Sequence, residues 1–139
     1  MKKAAALLLF ILLFTAGALG VLVACGVKVA AGGQWDLINC KDEEGNILAY
    51  GVNFQGGSEP KINASCEVTD ADFILRENGS AAYADYTKRQ EDGKLFLTVT
   101  FEDGGQAQAE CYIYKNGAGE YQIMVLTYGS KIYTFRKIA

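Results

Sequence analysis

Five tight-turn signals divide the second half of this 139-residue chain into short segments, and they constrain its fold more than any other feature. They are Glu77-Asn78-Gly79-Ser80, Glu91-Asp92-Gly93-Lys94, Glu102-Asp103-Gly104-Gly105, Lys115-Asn116-Gly117 and Tyr128-Gly129-Ser130. Each supplies residues that tolerate a positive φ, as tight hairpin turns require. Between the turns, and from Trp35 onward, lie segments rich in aromatic and β-branched residues. The expected strands are 34–40, 47–54, 61–67, 72–77, 80–86, 95–101, 106–114, 119–128 and 131–138, the pattern of an all-β sandwich or barrel. Only Ala81 to Glu91 has room for a helical turn. Pro60, the one proline, precedes the third strand, where a missing N–H does no harm.

Strand phase is readable where polar and apolar residues alternate. Ala107, Ala109, Cys111 and Ile113 face inward against Gln106, Gln108 and Glu110, and Leu95, Leu97, Val99 and Phe101 form a second inward row. Small residues facing a bulky row suit either a narrow, filled barrel or a shallow ligand cup. The candidate cup is therefore Leu97, Val99, Phe101, Ala107, Ala109 and Cys111. Tyr121 to Leu126 is apolar on both faces, so a further segment of the chain, a partner or the membrane is expected to cover its outer side.

The N-terminus carries an address. Lys2-Lys3 and an uncharged apolar run to Ala24 have the length of a secretory h-region or of a membrane-spanning helix. The run closes on Leu22-Val23-Ala24-Cys25-Gly26, which resembles the lipobox of bacterial lipoproteins. The resemblance implies a signal peptide over 1–24, removed before Cys25, and acyl chains on the Cys25 thiol, with two or three chains giving stable anchoring. It places the protein on the extracytoplasmic face of the cell membrane or outer membrane. Residues 25–33, without strong periodicity and ending in a Gly pair, read as a short tether.

Composition narrows the chemistry. Without Lys2 and Lys3, 11 bases remain against 16 acids, a formal charge of −5, so a nucleic-acid partner is not expected. The chain has no histidine, which removes the usual general base and every Ser-His or Cys-His nucleophile pair. No catalytic residue, metal site or cofactor is expected. Asp70 and Asp72 read as a solvated turn. Cys40, Cys66 and Cys111 remain once Cys25 is acylated, and any pairing leaves one thiol over. Cys40–Cys66 is the favoured disulfide, because simple up-and-down strand order brings both to one rim. The alternative is no disulfide at all. Tyr112, Tyr114, Tyr128 and Tyr133 are expected to project from consecutive strands as packing or as a recognition surface.

Three patterns in the body resemble the small bacterial lipocalin-like lipoproteins: Gly33-Gln34-Trp35 at the first strand, the hairpin Phe73-Ile74-Leu75-Arg76-Glu77-Asn78-Gly79-Ser80, and the closing strand Tyr133-Thr134-Phe135-Arg136-Lys137. The resemblance implies an antiparallel up-and-down barrel of eight or nine strands over 34–139. It also implies that Arg136 lies over the face of Trp35 where the barrel closes. The function it implies is non-catalytic binding of a small apolar or amphipathic ligand in the barrel mouth. The alternative is a filled barrel that binds an envelope protein, as a hydrolase inhibitor or assembly scaffold.

Overall fold

A computed structural model describes residues 29–54 and 57–139. Among these residues ten strands follow one another: β1 (Gly33–Lys41), β2 (Ile47–Gly51), β3 (Lys61–Ile62), β4 (Ala64–Val68), β5 (Phe73–Glu77), β6 (Ser80–Glu91), β7 (Lys94–Phe101), β8 (Gln106–Asn116), β9 (Gly119–Tyr128) and β10 (Lys131–Lys137). From β4 onward each strand pairs with the next, and β10 returns to β1. The result is a closed antiparallel barrel of eight strands, β1 and β4 to β10, with β2 and β3 as an insertion.

The turns explain the meander. Asn78 and Gly79 (φ 51° and 88°) and Asp92 and Gly93 (φ 53° and 77°) are two-residue loops with both central residues left-handed, whose twist matches the strands they join. The second of these holds β6 extended as far as Glu91, so the segment Ala81–Glu91 contains no helical turn.

β1 carries two neighbours along one edge: β4 pairs with Gly33–Asp36, and β2 with Asn39–Lys41. A bulge in the seam with β10 falls at Ile38, between the pairs Leu37↔Phe135 and Asn39↔Thr134. The extra residue shifts the alternation, so Trp35 and Leu37 point inward ahead of it and Cys40 after it, all at most 3% exposed. Where β2 ends, Gly51 lies directly against β1. A Cβ there would stand 1.8 Å from the Leu37 carbonyl oxygen, so only glycine allows the insertion to leave the wall so close to it.

Inside, register sets large residues against small ones. One row runs Leu95–Cys111–Met124–Phe135–Leu37, the next Leu97–Ala109–Leu126–Tyr133–Cys40, and a third Val99–Ala107–Tyr128. Ala84 stands between Phe73 and Phe101. The alanines are thus the small members of interdigitated layers, and Trp35, Phe73, Phe135, Leu37, Leu97, Met124 and Leu126 are each under 2% exposed.

Candidate functional site

Two barrel ends and one outer wall contain the residues that the sequence singles out. At the first end, Val29 to Gly32 form a strap across the mouth. Trp35 Nε1 donates to the Ala31 carbonyl at 2.9 Å, Ala31 is buried, and Val29 packs on the core. Ala30 N donates to Gln122 Oε1 at 3.1 Å, and Lys137 Nζ donates to the Ala30 carbonyl at 3.1 Å. The part of the tether that the structure describes is therefore built into the barrel.

The cation over Trp35 is Lys137, its Nζ 5.5 Å from the ring centroid. Arg136 does not meet Trp35. Strand alternation puts Tyr133, Phe135 and Lys137 on the inner face and Arg136 on the outer, where its guanidinium lies 5.0 Å from the Phe54 ring centroid and 5.4 Å from that of Tyr121. Beside this arrangement the outer side of β9 is covered at one point. Ile123, the cross-strand partner of Arg136, faces outward and is only 7% exposed.

The candidate cup is closed. Leu97, Val99, Phe101, Ala107, Ala109 and Cys111 are 0–4% exposed in the packed interior. The concavities described are open to solvent. The largest, about 410 Å³, lies beside the strap and is lined by Val29, Thr69, Asp70, Tyr86, Lys88 and Leu95 among others. Another, about 260 Å³, lies on the outer wall by Phe96, Glu110 and Val125.

At the opposite end the tyrosines close the barrel. Tyr128 stacks on Phe101 with centroids 4.8 Å apart, and the Tyr133 hydroxyl donates to Glu77 Oε1 at 3.2 Å. Burial, and then the Glu77 carboxylate, push the Tyr133 phenol above its ordinary range. Tyr112 and Tyr114 belong to the outer phase of β8, so the four tyrosines form no common row. Tyr112 stands 5.8 Å from Lys94 Nζ, which also bonds Glu110 at 2.8 Å. Arg89 lies 4.7 Å over Phe96. This outer wall is aromatic, with charges laid over its rings.

Cys40, Cys66 and Cys111 are all free and buried. The Cys40–Cys66 bridge fails because β4 pairs with the start of β1. Cys66 is opposite Trp35, five residues along β1 from Cys40, a rise of about 16 Å at ~3.3 Å per residue. That separation exceeds what a disulfide spans. Burial raises all three thiols, Cys111 to about 12, so they are protonated and unreactive at neutral pH. Cys25 lies outside the described residues. Among the described residues no group of His, Cys, Asp or Glu is arranged to hold a metal ion. Asp70 and Asp72 flank a turn in which Asp72 N donates to Thr69 Oγ1 at 3.0 Å.

No family model, curated protein or solved structure matches the chain.

Lys137 and the strap are the residues that sequence reasoning missed. The alternation Tyr133-x-Phe135-x-Lys137 is a signal for the first. The strap has none, since its burial comes from the Trp35 indole above it.

The free thiols generate a direct check. A thiol reagent at pH 8 should label none of Cys40, Cys66 and Cys111 in the folded protein and all three in denaturant. A single reactive thiol in denaturant would mean that two are bridged. Because folding raises the Cys111 pKa from 9.0 to about 12, its contribution to stability is complete below 9 and is lost as pH rises through 12.

Proposed function

We propose that this chain is a lipid-anchored envelope protein that acts without catalysis, by binding another protein on the outer wall of its barrel. The anchor rests on the lipobox-like Leu22 to Cys25 after an apolar run. The observation that carries the binding mode is the division between a filled interior and an aromatic exterior. Supporting it, the inward residues Leu97, Val99, Phe101, Ala107, Ala109 and Cys111 are at most 4% exposed among the described residues, whereas Phe96, Tyr112, Tyr114 and Tyr121 stand on the outside of adjacent strands. Tyrosine offers rigid contact area with a polar tip and is enriched at protein interfaces. The three inner thiols are deeply buried, which argues against thiol chemistry.

Capture of a small apolar ligand is the competing reading, and the concavity beside the strap is its best support. The Asp70, Lys88 and Gln90 side chains on its lining suit an apolar guest poorly.

Two measurements test the proposal. Cys25→Ala should leave a slower-migrating precursor that takes up no labelled fatty acid, and unchanged labelling would refute the anchor. Ala109→Phe places a ring between Leu97 and Leu126. In a filled barrel it should overpack the core, at a cost of about 1–3 kcal/mol in denaturant unfolding, with no uptake of an apolar fluorescent probe by the parent protein. Unchanged or raised stability, together with probe uptake that the substitution abolishes, would establish a cup and overturn the protein-binding reading.

A further inference from the structure

The strap, the C-terminus and the tip of the β8–β9 hairpin gather at one end of the barrel. Ile123 pairs with Arg136, which puts Lys137, the last residue of β10, level with Gln122. Beyond that level β9 and β8 continue with only each other as partners, through Tyr121↔Tyr114, Glu120↔Lys115 and Gly119↔Asn116. On the other side β7 begins at Lys94, one residue before the Leu95↔Cys111 pair, so it too stops short of the tip. Three residue pairs overhang the wall by about 10 Å at ~3.4 Å per residue.

The overhang carries exposed apolar surface. Ile138 and Tyr114, at 59% and 50%, are the two most exposed large hydrophobic residues among those described. A concavity of about 280 Å³ at this end is lined by Ile113, Tyr121 and Ile138, with Lys137 on its wall. Lys115, 70% exposed, stands 3.6 Å from Glu120. Aromatic rings with polar tips, an aliphatic side chain and flanking lysines are the set that settles at a membrane–water interface.

Chain length supplies the occupant. Ala30 is bonded to Gln122 and Lys137, so the chain enters the fold at the base of this hairpin. Cys25 lies four residues before Val29, a span of at most about 14 Å when fully extended. That reach is close to the length of the overhang. The opposite rim bears Asp42, Glu43, Glu44, Glu102 and Asp103 in its loops against Lys41 and Lys131, whereas at the Trp35 end Asp70, Asp72, Glu91, Asp92 and Glu120 are balanced by Lys88, Arg89, Lys94, Lys115 and Lys137, so an anionic bilayer repels the opposite rim more strongly.

The geometry points to the Trp35 end of the barrel as a bilayer-docking surface, with Tyr114 and Ile138 seated among lipid headgroups and the acidic rim turned outward. The inference rests on the anchoring reading and adds an orientation to it. It leaves the outer wall of β7 to β9 standing upright from the membrane, open to a partner.

The test uses the full-length lipidated protein in phosphatidylethanolamine–phosphatidylglycerol vesicles that carry a headgroup nitroxide. A fluorophore is attached to Gly117→Cys, where an added side chain meets open space, or to the exposed turn variant Ser130→Cys. The buried native thiols stay unlabelled. Vesicle flotation is scored first, and a protein that does not float refutes the anchor and the orientation with it. In floated protein, quenching should be several-fold stronger at position 117 than at 130. Equal or reversed quenching would overturn the orientation and leave the anchor intact. Combining Tyr114→Ser with Ile138→Ser should preserve flotation and weaken quenching at 117. Undiminished quenching in that variant would overturn the seating of these two side chains.

Discussion

The fold depends on one seam, where β10 closes onto β1 around Trp35. An eight-stranded sheet left open would present two long edges, each a row of unpaired N–H and C=O groups ready to pair with another chain. Here the seam runs from Ile132↔Lys41 to Lys137↔Trp35, and the C-terminus extends it through Gln34 N to Ala139 O at 2.9 Å and Ile138 N to Gln34 O at 2.8 Å. The indole lies beneath the seam with its only polar atom bonded to Ala31, so the largest side chain of the core is buried with no unmet donor. Lys137 then serves two ends at once, its ammonium over the indole and bonded to the strap.

Closure underlies the proposed function. Trp35 and the strap pack at one mouth, and at the other Tyr128 stacks on Phe101 beside the buried Tyr133. Interdigitated large and small residues leave the alanines of β8 as contacts of Leu126 and Tyr128. The outer aromatic residues of β7 to β9, where we propose that a partner binds, carry cation–π contacts such as Arg89 over Phe96.

Much of the fold is legible in the sequence. Asn78-Gly79 and Asp92-Gly93 announce their left-handed conformations by composition, and each strand's inner face follows from period-two alternation, so the barrel strands are readable, although the stretch expected as 80–86 runs on to Glu91 and that expected as 61–67 divides at Asn63 into β3 and β4. The site was less legible because its features arise from interruptions of that period. The bulge at Ile38 gives no local signal, and neither does the close passage of Gly51 over Leu37 that lets β2 and β3 branch off. Missing that insertion shifted β4 along β1 and produced the expectation of a Cys40–Cys66 bridge. The family resemblance implies Arg136 over Trp35, whereas the alternation through Phe135 places Lys137 there instead. A single strand's pattern does not reveal the cross-strand partners, Leu126 and Tyr128, on which the proposed filled-core reading of the inward alanines rests.

The claim on which the rest stands is that Trp35, the only tryptophan, is sealed at the seam beneath the strap. Its fluorescence in the full-length protein, with acrylamide as quencher, reports this directly. The account predicts blue-shifted emission that acrylamide scarcely quenches until the protein is unfolded. Emission resembling that of free indole in water, quenched as readily in the folded protein as in the unfolded, would contradict it.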